Sequence, residues 1–152
     1  MKPILIDTNA LVVLIIGLMN PHILKTHKRT SIYEEQDLRN LLYIIQDISN
    51  LVVLPNVWTE VDNLLNSFDK QRKYTYLKTL RSAIEQTTEK YIPSVSATHN
   101  TAFIDLGITD SLLLEHAKEC RLLITGDSAL SDYASAYGIA VYDMVRARNE
   151  RL

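Results

Sequence analysis

The sequence predicts a single α/β domain, with a central and mainly parallel sheet flanked by helices, and three observations carry that prediction. At 152 residues the chain has the length of one domain. Apolar residues make up 47% of it and charged residues 22%, which supports one sizeable core and excludes a disordered, collagen-like or zinc-stapled chain. Short β-branched runs alternate with helical periodicities, the pattern of parallel strands joined by helices. No internal repeat, low-complexity tract or interdomain linker breaks that alternation.

Each element has its own justification. Pro3 to Ile6 is an apolar run stopped at Asp7, as expected of a buried first strand. A helix follows from about Ala10 to Leu18, closed by Gly17, Asn20 and Pro21. Residues 20–33 are polar, with Lys25, His27, Lys28 and Arg29 close together, and read as an exposed loop or small excursion. Between Glu34 and Ser49, Leu38, Leu41, Leu42, Ile45 and Ile48 recur at helix spacing. Leu51 to Leu54 is the second strand, stopped by Pro55. Asn56 suits the N-cap of a helix with Val57, Val61, Leu64, Leu65 and Phe68 on one face and Glu60 near its start. The next amphipathic helix spans Lys70 to Glu89, with Tyr74, Leu77, Leu80 and Ile84 in register. Gly107 can end a short helix, and Thr109 can cap the next, which opens at Asp110. Leu122 to Thr125 is a buried-type strand, followed by Gly126-Asp127 and a helix to Tyr137. Gly138 ends that helix, Ile139 to Tyr142 forms a final strand, and a short charged helix closes the chain.

Sixteen basic and 18 acidic residues give a formal charge of −2. Taken alone, that value speaks against a strongly basic nucleic-acid module. The lone Cys120 has no internal partner and fits a reducing compartment as a buried, inert thiol. Pro3 to Met19 resembles a signal peptide only superficially, because Asp7, Thr8 and Asn9 interrupt it and no small-residue cleavage site follows. A carboxylate inside a spanning segment costs about 2.5–3.5 kcal/mol, and the other apolar runs are too short to span. The expectation is a soluble, cytoplasmic protein with no membrane contact.

Four carboxylates attract a functional reading. Asp7 and Asp127 each lie just beyond the carboxyl end of a predicted parallel strand, the edge where open α/β sheets bind ligands. Asp110 opens a helix, where the macrodipole favours an anion, and Glu60 near the start of another can point to the same edge. Acids that converge without basic neighbours repel one another and are stable chiefly around divalent cations. Oxygen-only ligation selects Mg²⁺ or Mn²⁺ over zinc. Such ions can activate a water and stabilise the leaving oxygen in phosphodiester cleavage. Thr125 is placed to hydrogen-bond a metal-bound water or a phosphate, and Asn9 to orient Asp7.

The segments Ile4-Leu5-Ile6-Asp7-Thr8-Asn9-Ala10-Leu11, Gly107-Ile108-Thr109-Asp110 and Leu123-Ile124-Thr125-Gly126-Asp127 resemble three motif blocks of PIN-domain nucleases. Pro55 to Leu65, with Glu60, resembles the remaining acidic block, so the resemblance spans nearly the whole chain in order. It implies one PIN-like domain and an endoribonuclease that depends on Mg²⁺ or Mn²⁺, with Asp7, Glu60, Asp110 and Asp127 as catalytic metal ligands. The single-domain size is most similar to the toxin ribonucleases of bacterial toxin–antitoxin pairs. That similarity implies an RNA substrate, a homodimer and a small antitoxin protein that blocks the site. Asn20 to Tyr33 is longer than the compact pattern and can reshape the RNA entrance or the partner site.

Plainer roles stand beside these. Asp7 and Asp127 can be helix caps, Asp110 can complement a helix dipole, and Glu60 can be a solvated acid like its neighbour Asp62. Lys70, Arg72 and Lys73, with Lys78, Arg81, Tyr74 and Tyr76, form either a solvated helix face or a surface tracking single-stranded RNA. Arg146, Arg148 and Arg151 offer a second basic patch. The rival enzyme is a haloacid-dehalogenase-like phosphatase, which Gly126-Asp127 and Asp132 fit, although Asn9 stands where that family wants a second aspartate. The rival outside enzymology is a PIN-like module that only recruits RNA or protein. The His residues lack zinc spacing, Ser128 and Ser131 lack a nucleophile elbow, and no glycine-rich phosphate loop occurs. Setting the four proposed ligands aside leaves 14 acids against 16 bases, a scaffold of +2. The overall charge therefore does not exclude RNA, and binding of RNA is expected to require the metal.

Overall fold

The central strand is β1 (Ile4–Ile6), fully buried as its uninterrupted apolar run requires. From it the chain enters α1 (Thr8–Met19), whose residues Ala10 to Ile16 are all buried. This helix is apolar all round because it is enclosed by helices and the sheet. Gly17 does not terminate it. The glycine is buried inside the helix, where an added methyl would meet Leu38 Cδ1 at 2.5 Å, and Asn20 is the C-cap. The segment 20–33 opens with a 3₁₀ turn at Pro21–Ile23 and is anchored by buried Ile23, Leu24, Thr30 and Tyr33. The Thr30 hydroxyl donates to the Leu24 carbonyl at 2.6 Å. It is thus an excursion tied down by its own side chains, with its basic residues left outside.

Helix α2 (Glu35–Ile45) leads through a 3₁₀ turn to β2 (Leu51–Val53). Helix α3 (Pro55–Leu65) starts one residue before Asn56, with Pro55 in its first turn and Leu54 as N-cap. Asn56 is therefore inside the helix, and its amide is spent elsewhere. Helix α4 (Lys70–Gln86) buries Tyr76, Leu80 and Ala83, while Tyr74, Leu77 and Ile84 are exposed. The buried stripe differs from the expected one because Tyr76 hides its ring and satisfies its hydroxyl on Asp62 at 2.8 Å. After it comes β3 (Thr88–Glu89), an exposed two-residue edge strand with no sequence signal of its own.

The chain then passes through α5 (Val95–Thr98) and α6 (Phe103–Ala117) to β4 (Leu122–Thr125), α7 (Ser128–Ala136), β5 (Val141–Asp143) and α8 (Met144–Arg151). All 152 residues, Met1–Leu152, are described in this computed structural model. The five strands are all parallel in the order β3-β2-β1-β4-β5. The chain winds outward from β1 to β3, then returns to place β4 on the other side of β1. The winding direction therefore reverses between β1 and β4, the position where open α/β sheets bind ligands beyond their carboxyl ends. No helix is long and apolar enough to cross a membrane.

Candidate active site

Asp7 and Asp127 flank that reversal point. Ile6 pairs with Ile124, and the Asp7 N–H donates to the Ile124 carbonyl at 2.9 Å, so the two strand ends lie side by side. Asp7 is 4% exposed. Its Oδ1 accepts the Thr8 N–H at 2.6 Å, and its Oδ2 accepts the Thr125 hydroxyl at 2.7 Å. Thr125 is fully buried, and its oxygen in turn accepts the Asp127 N–H at 3.0 Å. Asp127 Oδ1 accepts the Ala129 and Leu130 N–H groups, capping α7. Both aspartates are therefore helix caps and members of the cluster at once.

Glu60 comes from the second turn of α3. Its Oε1 accepts the Thr8 hydroxyl at 3.0 Å, and its Oε2 accepts the Thr109 hydroxyl. The Thr109 oxygen accepts the Asn56 amide at 3.0 Å. Thr109 thus holds Glu60 instead of capping backbone. Helix α6 is broken at Gly107, whose φ of 80° and ψ of −169° suit a residue without Cβ. A new helical run starts after the break, with Asp110 in its first turn, where the dipole favours an anion.

These placements put Asp7 and Asp110 in the field of the neighbouring acids. Burial and the charges of Asp7, Asp127 and Glu60 push the Asp110 carboxyl up to about 8, and a carboxyl–carboxyl hydrogen bond with Asp127 adds to the rise. Burial also raises Asp7, against the lowering effect of the Thr125 and Thr8 donors, and Asp127 and Glu60 add repulsion. No cation is among the groups acting on either aspartate. At neutral pH the cluster sheds part of its repulsion by keeping a proton on the Asp110 carboxyl.

Comparisons with known proteins add little to this geometry. No protein-family model matches the chain, and no curated protein matches it. A solved structure, a domain of a functionally unknown protein from Methanocaldococcus jannaschii DSM 2661, is 19% identical with a TM-score of 0.47. The match covers 94% of this chain and 91% of that one.

The donor set suits a hard divalent cation, being four carboxylates with hydroxyl neighbours and no nitrogen or sulfur. As they stand, however, no three or more Asp, Glu, His or Cys side chains are grouped so as to hold a metal ion. Glu60 is bonded to its two threonines, and a hydrogen bond with Asp127 helps to raise the Asp110 carboxyl. Asn9 does not orient Asp7; it is exposed and turned toward Gly126, where an added methyl would lie 3.5 Å from Asn9 Cβ. Thr8 and Thr125 hold Asp7 instead. Asn56 and Thr109 escaped the sequence reading as cluster members because each reads first as a helix N-cap, and Thr8 has no signal beyond its place next to Asp7.

The basic residues divide. Lys70, Arg72 and Lys73 are exposed in the first turn of α4, but Tyr76 is buried and cannot stack on a ligand. Arg81 pairs with Glu85, Arg146 with Glu150, and Arg151 with Asp37 and Glu34. Arg148 donates to the Ile32 carbonyl. Arg148 and Arg151 therefore staple helix α8 to the body, while Arg146 pairs within α8. Cys120 is half-buried, and burial pushes its thiol up to about 11, which keeps it protonated.

Proposed function

We propose that the protein is a Mg²⁺- or Mn²⁺-dependent endoribonuclease acting on single-stranded RNA. One observation carries the reading. Acids from four separate segments act on one another electrostatically beside the reversal point of a parallel sheet, with no cation among the charges acting on Asp7 or Asp110. Repulsion of that kind costs stability and persists where the cluster has a use for positive charge. Asp7, Glu60, Asp110 and Asp127 would hold the ion. When bound it would supply a water activated near neutral pH and charge stabilisation for the leaving oxygen.

The chain's own groups have distinct tasks in this reading. Thr125 fixes the Asp7 carboxylate and the Asp127 backbone in one arrangement. Thr8 and Thr109 orient Glu60. Asp110, whose carboxyl is raised in the absence of an ion, would hold the ion as a carboxylate. The similarity to PIN-domain toxins extends the proposal to a homodimer and to a small antitoxin protein that covers the acidic edge.

The deciding experiment offers single-stranded RNA and a phosphomonoester side by side with Mg²⁺ or Mn²⁺. Internal RNA cuts that disappear in Asp7→Asn and Asp127→Asn are expected. Asparagine also caps helices well, so Asp127→Asn keeps α7 in place. Phosphate release without RNA cuts favours the phosphatase, and RNA binding without either reaction favours a recruiting module. Unchanged cleavage by folded variants overturns the assignment.

A further inference from the structure

Beside the acids lies a pocket of about 320 Å³ that shares Asn9 and Gly126 with their loops. Asn9 is two residues from Asp7, and Gly126 directly precedes Asp127. A methyl built on Gly126 would lie 3.1 Å from Tyr33 Oη and 3.9 Å from Asn9 Nδ2, so a hydroxyl and an amide converge over a residue that has no side chain. Tyr33 is 4% exposed, and no hydrogen bond is among the influences on its hydroxyl, which burial pushes up to about 12. The hydroxyl therefore stays protonated, available to donate and accept. The walls include the apolar side chains of Ile32 and Leu64. Lys28 and Arg29 stand exposed at its rim, neither engaged in an ion pair.

The pocket does not end there. Lys28 also lines a second concavity of about 470 Å³ that reaches Arg72. His27 and Phe68 lie in that second concavity with ring centroids 5.2 Å apart, and burial, helped by Lys28, Arg29 and Arg72, holds the His27 imidazole below its ordinary value. Apolar walls with a few converging polar groups, followed by cations and then by aromatic rings, match the alternation of base, phosphate and base in a single strand.

We infer that the pocket over Gly126 is a nucleobase subsite that gives the protein a base preference at one position beside the cut, read by the Asn9 amide and the Tyr33 hydroxyl. Lys28 and Arg29 take the adjoining phosphate, and the next base stacks at His27 and Phe68. The excursion at 20–33 is thereby a recognition element. The position of this subsite relative to a scissile phosphate rests on the nuclease reading; base-selective binding does not.

The test measures binding of 5′-labelled pentaribonucleotides of each base by fluorescence anisotropy in Mg²⁺. A gel of the same samples reports cutting, and a cut-site map of a randomised RNA in Mn²⁺ completes the set. Wild type is expected to prefer one base by about tenfold, the size of a good bidentate contact. Asn9→Ala and Tyr33→Phe are expected to flatten that preference, and Lys28→Ala with Arg29→Ala to weaken all four oligonucleotides alike. Asn9 is exposed, so its variant separates loss of recognition from loss of fold. A preference that collapses in both variants while the gel shows no cutting supports the subsite and overturns the nuclease. Cutting with no base preference, or with a preference that both variants retain, overturns the subsite and leaves the nuclease. Absence of binding to any of the four overturns the subsite.

Discussion

The Thr125 hydroxyl has one proton and gives it to Asp7 Oδ2 at 2.7 Å, because its oxygen is already accepting the Asp127 N–H at 3.0 Å. A single buried side chain thus sets the separation and the orientation of two acids that are 120 residues apart in sequence. Thr125→Val keeps the shape and removes both bonds. It is expected to lose about 1–3 kcal/mol of stability, the cost of leaving buried polar groups without partners, and most of the metal-dependent cleavage. Thr125→Ser is expected to restore both. Urea unfolding and an RNA cleavage assay on the two variants check this, and equal behaviour of Val and Ser would contradict it.

The raised Asp110 carboxyl has a consequence for pH. Its folded value, about 8, lies above its ordinary 3.8, so the folded state binds the proton more tightly than the unfolded chain. The associated stability is fully present below about pH 4 and is lost as pH rises toward 8. Without divalent ions, wild type is therefore expected to melt at progressively lower temperature from pH 5 to pH 8, and Asp110→Asn to flatten the slope. Mg²⁺ at pH 8 is expected to raise the melting temperature of wild type and not of the variant. Thermal scans at several pH values, with and without Mg²⁺, measure all three.

A cation that displaces this proton should also release it. Titrating Mg²⁺ or Mn²⁺ into weakly buffered wild-type protein at pH 7 is expected to lower the pH, with apparent affinity rising with pH. Asp110→Asn should release fewer protons. RNA affinity is expected to fall when the ion is chelated, because the uncancelled acids then face the phosphates. Anisotropy with and without chelator reads that change.

Ser111 sits fully buried inside α6 with its hydroxyl unpartnered. Ser111→Ala removes an orphaned polar group and improves helix propensity, so it is expected to gain about 1 kcal/mol. Chemical denaturation settles the sign, and a loss of stability would mean that the hydroxyl has a role in the neighbouring cluster.

Arg151 donates to both oxygens of Asp37 at 3.0 Å, and Asp37 Oδ2 also accepts the Glu34 N–H at the start of α2. Arg151→Ala leaves a 5% exposed carboxylate without its cation. Faster hydrogen exchange across α8 and the first turn of α2, with protection elsewhere kept, is the expected result.

The strands that carry the site were legible because each is a short apolar run broken by one acid, Ile6 to Asp7 and Thr125 through Gly126 to Asp127. Asp110 was legible through the glycine three residues before it. The edge strand Thr88–Glu89 was not, since two polar exposed residues have no pattern of their own. The buried face of α4 was misjudged for a different reason: Tyr76 counts as amphipathic until Asp62 is seen to accept its hydroxyl. Threonine hydroxyls shape the cluster at every step, and their partners lie 49 to 118 residues away in sequence. Local reading cannot reach across such distances.

The strand order also governs when the acidic edge can assemble. The middle strand β1 precedes in sequence the neighbour β4 that completes its ligand edge, so the Asp7–Thr125 bond closes across 118 residues. A chain still short of Asp127 holds only some of the acids and has not formed the reversal point. For a protein proposed to cut RNA, this means that a growing chain lacks the full set of acids until Asp127 has been added.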